Sequence, residues 1–131
     1  MSYIICYIST AKYSIQTHEL DHVYKITLKN NFKKNISGIL IFNNGHFFQI
    51  LEGEETVLKE LFKKIKSDER HHNIIILLDK KNNHRIFEDY RYGFNVITNK
   101  KDITDLKKYL KILKDTPEFK TIRSLLKPFI K

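Results

Sequence analysis

The chain has 131 residues, 41% of them hydrophobic and 30% charged, with four Gly, two Pro and a single Cys. That balance excludes a disordered chain and suits one domain, because a chain of this size buries about two thirds of its unfolded surface. The 24 Lys and Arg outnumber the 15 acidic residues to give a net charge of +9, yet the lysines fall singly or in pairs along the chain. They read as a solvated surface, and nucleic acid is not an expected partner.

The opening "MSYIICYIS" carries no basic leader or cleavage site, and no apolar run approaches the roughly 18 residues of a membrane span. These features predict a soluble, cytoplasmic protein with no membrane partner. Ser2 to Ser9 alternates and is rich in Ile and Tyr, which predicts a first strand. Cys6 lies within it and has no second cysteine to pair with, so it reads as a small core residue.

From Thr17 to Lys29 the apolar residues Leu20, Val23, Tyr24 and Leu28 recur at helical spacing, with Thr17 as the expected N-cap. A second strand follows at Ile36 to Phe42, then the Asn44-Gly45 turn, a strong hairpin signal, and a third strand at His46 to Leu51. Glu54 to Lys66 puts Val57, Leu58, Leu61, Phe62 and Ile65 on one helical face, with acids in the first turn and lysines in the last, as the helix dipole favours. A fourth strand is expected at Asn73 to Leu78, a polar turn at Asp79 to His84, and a fifth strand at Ile86 to Ile97. Two short helices close the chain, Thr104 to Leu113 and Glu118 to Lys127, with Pro117 in a first helical turn.

The order βαββαββ plus two helices predicts an α+β, ferredoxin-like sandwich. A five-stranded mixed sheet would carry two helices on one face and two short C-terminal helices on the other. Residues 1–98 would form the main domain and 99–131 the capping helices of the same unit. In the third strand Phe47, Gln49 and Leu51 point one way, and Phe48 and Ile50 the other. The amide in this apolar strand is the chemical oddity. A buried carboxamide without partners costs about 1 to 3 kcal/mol, so Gln49 needs fixed partners, and Tyr7 on the first strand and Asn30 and Asn31 are at hand. Polar groups converging on an apolar slot describe either a structural network or a small-molecule site.

The segments "YIS" (Tyr7 to Ser9), "NNFKKNISGILIF" (Asn30 to Phe42), "GHFFQILEG" (Gly45 to Gly53), "IKSDERHH" (Ile65 to His72) and "FEDYRYGF" (Phe87 to Phe94) together resemble the BLUF family, blue-light sensors that use FAD. The resemblance covers residues 2 to 97, with the segments in family order. It implies a blue-light photoreceptor, not an enzyme, whose non-covalent flavin (FAD, with FMN as the alternative) lies between the two main helices. It further implies that Tyr7 gives an electron and a proton to the excited flavin, and that Gln49 bridges Tyr7 and the ring and rearranges. Asn31 would hydrogen-bond the ring edge with Asn30 beside it, and Lys64, Asp68, Arg70 and His71 would lie near the ribityl and phosphate portions.

The sequence departs from the family at Tyr90 and Tyr92, where many relatives carry Trp and Met, and at Arg91; the chain has no Trp. Tyr90 and Tyr92 are the expected relay from Gln49 to the closing helices, with Tyr92 able to hydrogen-bond the amide. With no fused output domain expected, output would pass to a separate protein or another copy of the chain. His71 and His72 lack a third ligand at a characteristic spacing, so no metal is expected. The rival readings are an RNA-binding ferredoxin-like module presenting Phe47 and Phe48, and a light-insensitive relative serving as an interaction protein.

Overall fold

The computed structural model describes residues 2–130; Met1 and Lys131, the outermost residues of the two predicted segments, lie outside them. The elements run β1 (Ser2–Ala11), α1 (Thr17–Lys33), β2 (Ser37–Asn43), β3 (His46–Gly53), α2 (Glu55–Lys66), β4 (His71–Asn82), β5 (Phe94–Ile97), α3 (Lys100–Ile112) and α4 (Pro117–Leu126), then a 3-10 turn at Lys127–Phe129. The strands form one mixed sheet in the order β4-β1-β3-β2-β5. β1 pairs antiparallel with β3 and β4, β2 antiparallel with β3, and β5 parallel with β2. This is the predicted ferredoxin-like α+β architecture.

Strand alternation sorts the core into two layers. Ile5, Tyr7, Leu40, Phe47 and Leu51 pack under Leu58 and Phe62 of α2, with Leu20, Val23 and Tyr24 of α1 against them. Ile4, Cys6, Ile39, Ile41, Phe48 and Ile50 face Leu106 and Leu110 of α3 and Phe119, Ile122 and Leu126 of α4. Each fully buried aliphatic or Phe side chain contributes about 1.5–3 kcal/mol. With both faces covered, Phe47 and Phe48 are buried, and among the described residues the sheet offers no open aromatic platform for RNA.

Turn chemistry sets the registers. Asn44 and Gly45 both have positive φ, 51° and 80°, as a two-residue type I′ hairpin requires. Gly38 has a different constraint: with φ +141°, a Cβ there would lie 1.9 Å from the Ile50 carbonyl oxygen.

Several boundaries differ from expectation. Gln16, not Thr17, caps α1, because the Glu19 carboxylate reaches back to accept the Gln16 N–H at 3.0 Å. α1 also runs on to Lys33, which takes Asn30 and Asn31 into its last turns. β4 continues through the expected turn at Asp79 because β1 holds it, Ser2 opposite Asn82 and Ile5 opposite Asp79, and the Tyr3 hydroxyl donates to the Asp79 carboxylate. α3 begins before Thr104, where the Asn99 side chain accepts the Asp102 N–H at 2.9 Å. The largest correction is at β5, which spans only Phe94–Ile97. Residues 86–93 turn instead, with φ 53° at Arg91 and 84° at Gly93, so Tyr90 and Tyr92 lie on a loop and not on a strand.

Candidate functional site

Tyr7 and Gln49 sit directly opposite each other on β1 and β3, so both side chains rise from the face covered by α1 and α2. Gln49 Nε2 donates to Tyr7 Oη at 2.5 Å, with Tyr7 3% and Gln49 4% exposed. Burial pushes the phenol's pKa well up, opposed only partly by the bond from Gln49. Tyr7 is therefore neutral at physiological pH, and its own O–H remains free to donate.

α1 brings Asn31, 1% exposed, into the same wall. Among the described residues, four buried side-chain atoms lack a hydrogen-bond partner, and two of them, Asn31 Nδ2 and Gln49 Oε1, belong to residues lining one cavity of about 240 Å³. Its apolar walls come from Val23 and Ile26 of α1, Leu61 and Ile65 of α2, and Leu40 and Phe47 of the sheet. An unmet buried amide costs about 1–3 kcal/mol. One open donor and one open acceptor in an apolar slot suit a planar heterocycle whose edge alternates C=O and N–H, which is the imide edge of a flavin.

Polar groups gather where α2 meets β4. Asp68 and Arg70 form an ion pair at 2.6 Å, and Arg70 holds the Asp68 carboxyl below its usual range. The Arg70 backbone N–H also donates to Asp68 Oδ1 at 3.0 Å, which fixes the turn into β4. His71 Nε2 lies 2.6 Å from the Ile65 carbonyl, which can only accept, so Nε2 carries the hydrogen and Nδ1 faces Ser9 Oγ at 2.7 Å. Tyr7, Asn30, Asn31, Gln49, Lys64, Asp68, Arg70 and His71 all line this one cavity.

Tyr90 and Tyr92 do not line it. Tyr90 lies in the opposite layer, stacked on Tyr109 of α3 with ring centroids 4.5 Å apart, and its hydroxyl has no partner. Tyr92 is 82% exposed. It makes no hydrogen bond to Gln49 among the described residues, because the turn at Arg91 carries it outward.

Glu52, one residue past the predicted end of the third strand at Leu51, is a residue to which the sequence analysis gives no role. Its side chain is fully buried in the far layer, accepting from Ser37 Oγ (2.9 Å), Ile86 N (2.5 Å) and Phe87 N (3.0 Å). It thereby ties the start of the 86–93 loop to β3. A charge flanked by the apolar Ile50, Leu51 and Gly53 was the available signal.

A model of the BLUF family, sensors of blue light using FAD, matches residues 2–93. The blue light- and temperature-regulated antirepressor BluF of Escherichia coli is 40% identical over 60 residues, 46% of this chain and 15% of that protein. The BLUF domain of BlrP1 superposes with a TM-score of 0.78 at 27% identity, covering 99% of this chain and 90% of that one. BlrP1 of Klebsiella pneumoniae has also been solved with FMN and cyclic diGMP, with a TM-score of 0.76 at 27% identity over 97% of this chain and 35% of that one. The dark-state BLUF protein BlrB gives a TM-score of 0.70 at 25% identity, over 95% of this chain and 97% of that one.

Proposed function

The chain belongs to the BLUF family, and from that premise we propose that it binds FAD non-covalently between α1 and α2 and reports blue light through Tyr7 and Gln49. The observation that carries this reading is the buried 2.5 Å bond between them beside two unpartnered amide atoms. Asn31 Nδ2 and Gln49 Oε1 would hold the ring edge, while Lys64 and Arg70 are the cations lining the polar end. Those cations would favour FAD or FMN over uncharged riboflavin. The family model, whose members use FAD, supports FAD over FMN.

When bound, an oxidised flavin supplies absorption of blue light and, once excited, the pull of a one-electron oxidant. Tyr7 would then give an electron to that oxidant, and because a phenol that has lost an electron is a strong acid, its Oη proton would pass to the same acceptor. The Gln49 carboxamide presents a donor on one side and an acceptor on the other, so it can exchange which group faces Tyr7. When electron and proton return to Tyr7 the count closes with no net oxidation and no covalent product. What persists is the rearranged amide.

The signal would leave β3 through β2 and the 86–93 loop. Tyr90 is the relay to Tyr109 of α3, and the Arg91 guanidinium bonds Asp102 (3.2 Å) and Asp105 (2.6 Å) on that helix. Tyr92 would serve as a contact residue. With Phe32, 78% exposed, it borders a second cleft, and exposed aromatics beside arginine are what a protein interface uses. The recipient would be a protein, a separate partner or another copy of this chain. Replacing Gln49 by Leu should leave FAD bound and abolish the light-induced red shift; an unchanged photocycle would overturn the role of the amide.

A further inference from the structure

We propose that the outer face of α3 is a binding surface for the phosphate backbone of duplex nucleic acid. Along the sequence its lysines look scattered, but the helix gathers them. Lys100, Lys101, Lys107, Lys108 and Lys111 are all exposed. At about 100° per residue they fall within roughly a third of the helix circumference, turned away from the buried Leu106 and Leu110, and they span about 17 Å of axis. Among the described residues none of the five takes part in a salt bridge.

The acids of α3 are segregated from this row. Asp102 and Asp105 both bond Arg91 on the 86–93 loop, and Asp102 also accepts the Thr98 N–H at 3.1 Å. The outer arc is therefore left with one sign of charge.

The chemistry of the row separates possible partners. Lysine is depleted at protein interfaces, which anchor on buried aromatic, Met or Arg side chains, and the arc between these lysines offers only Thr104. Single-stranded nucleic acid needs stacking aromatics, which the arc also lacks. A straight row of flexible point charges on a rigid helix fits a stiff polyanion read without sequence preference. This inference goes beyond the sensor reading and does not depend on it.

The test is fluorescence anisotropy of a labelled duplex DNA of arbitrary sequence, titrated in the dark with the full chain at 50 to 200 mM salt. Binding should weaken steeply with salt, with a log–log slope of about −0.9 per phosphate engaged. Lys107→Glu with Lys111→Glu should lower affinity at the low-salt end by about tenfold or more and make the slope less negative by about 1.8. Lys33→Glu with Lys34→Glu, exposed at the end of α1, changes net charge equally and should have a much smaller effect. The proposal is overturned by no binding at 50 mM salt, or by equal loss from both double substitutions, which would leave net charge alone as the cause. Retention on polyglutamate without duplex binding would also overturn it, in favour of an acidic protein partner. Circular dichroism of each variant verifies that the surface changes leave the fold intact.

Discussion

Replacing Glu52 by Ala should destabilise the fold severely, although Glu52 lies outside the cavity lined by Tyr7 and Gln49. Its carboxylate accepts from Ser37 Oγ, Ile86 N and Phe87 N. The Ser37 hydroxyl can rotate to a new acceptor, but the two backbone amides cannot. Two stranded buried donors cost about 1–3 kcal/mol each. Removing the charge returns part of this, because a buried carboxylate is itself unfavourable and burial raises its pKa. The net loss should be about 2–4 kcal/mol, which for a chain of this size lowers Tm by about 3–5 °C per kcal/mol. Glu52→Gln keeps one accepting oxygen but sets its amide hydrogens against a backbone N–H, so about 1–3 kcal/mol is expected. The direction of the pKa shift fixes a second readout. A carboxyl with a raised folded pKa contributes most below its unfolded pKa of about 4.3 and loses that contribution as pH rises through the folded value. The gap between wild type and Glu52→Gln should therefore be wider near pH 4 than at pH 7. Thermal unfolding by circular dichroism measures both effects, and amide exchange at Ile86 and Phe87 locates them. An Ala variant within about 0.5 kcal/mol of wild type, or amides that stay protected, would refute the latch.

Further outcomes follow from other parts of the structure. Gly38→Ala would drive a methyl into the Ile50 carbonyl, so the variant should fail to fold or lose more than about 4 kcal/mol by chemical denaturation. The buried Cys6 thiol is pushed up to about 12, so it should resist a thiol reagent at pH 8 and react once only after unfolding. Arg70 lowers the pKa of Asp68, so this pair stabilises the fold above the unfolded pKa of about 3.9 and is lost as pH falls through the lower folded value. Asp68→Asn should flatten the acid limb of stability against pH in that window, and an unchanged limb would deny the pair this role.

The layers of the fold were legible because they rest on local patterns. Alternation in "FFQILEG" placed Gln49 and Phe48 on opposite faces, and the Asn44-Gly45 dipeptide fixed the hairpin register that sets Gln49 opposite Tyr7. The cavity residues were legible for a different reason. They stand at positions the BLUF resemblance points to, and all eight of the proposed set line one cavity. Features that depend on distant partners were not legible. The aromatic and β-branched residues spread from Ile86 to Ile97 hid a loop whose shape is set by Glu52, 34 residues away from Ile86, and by Arg91 clasping α3. Gly93, read as part of the strand, was the local sign of the turn. The polar end of β4 was expected to be a turn because its own residues are poor strand formers, and only pairing with β1 keeps it extended. The lysine row on α3 was legible as charge but not as a surface, because its geometry depends on a helix start that Asn99 moves ahead of Thr104.

The most direct measurement is a light-minus-dark absorption spectrum of the chain reconstituted with FAD. The flavin bands should move to the red under blue light and return in darkness, with the shift absent in Tyr7→Phe while the bound flavin remains. A preparation that binds no flavin, or a yellow wild-type protein whose spectrum light does not alter, would contradict the assignment of Tyr7 and Gln49 as the light-driven switch.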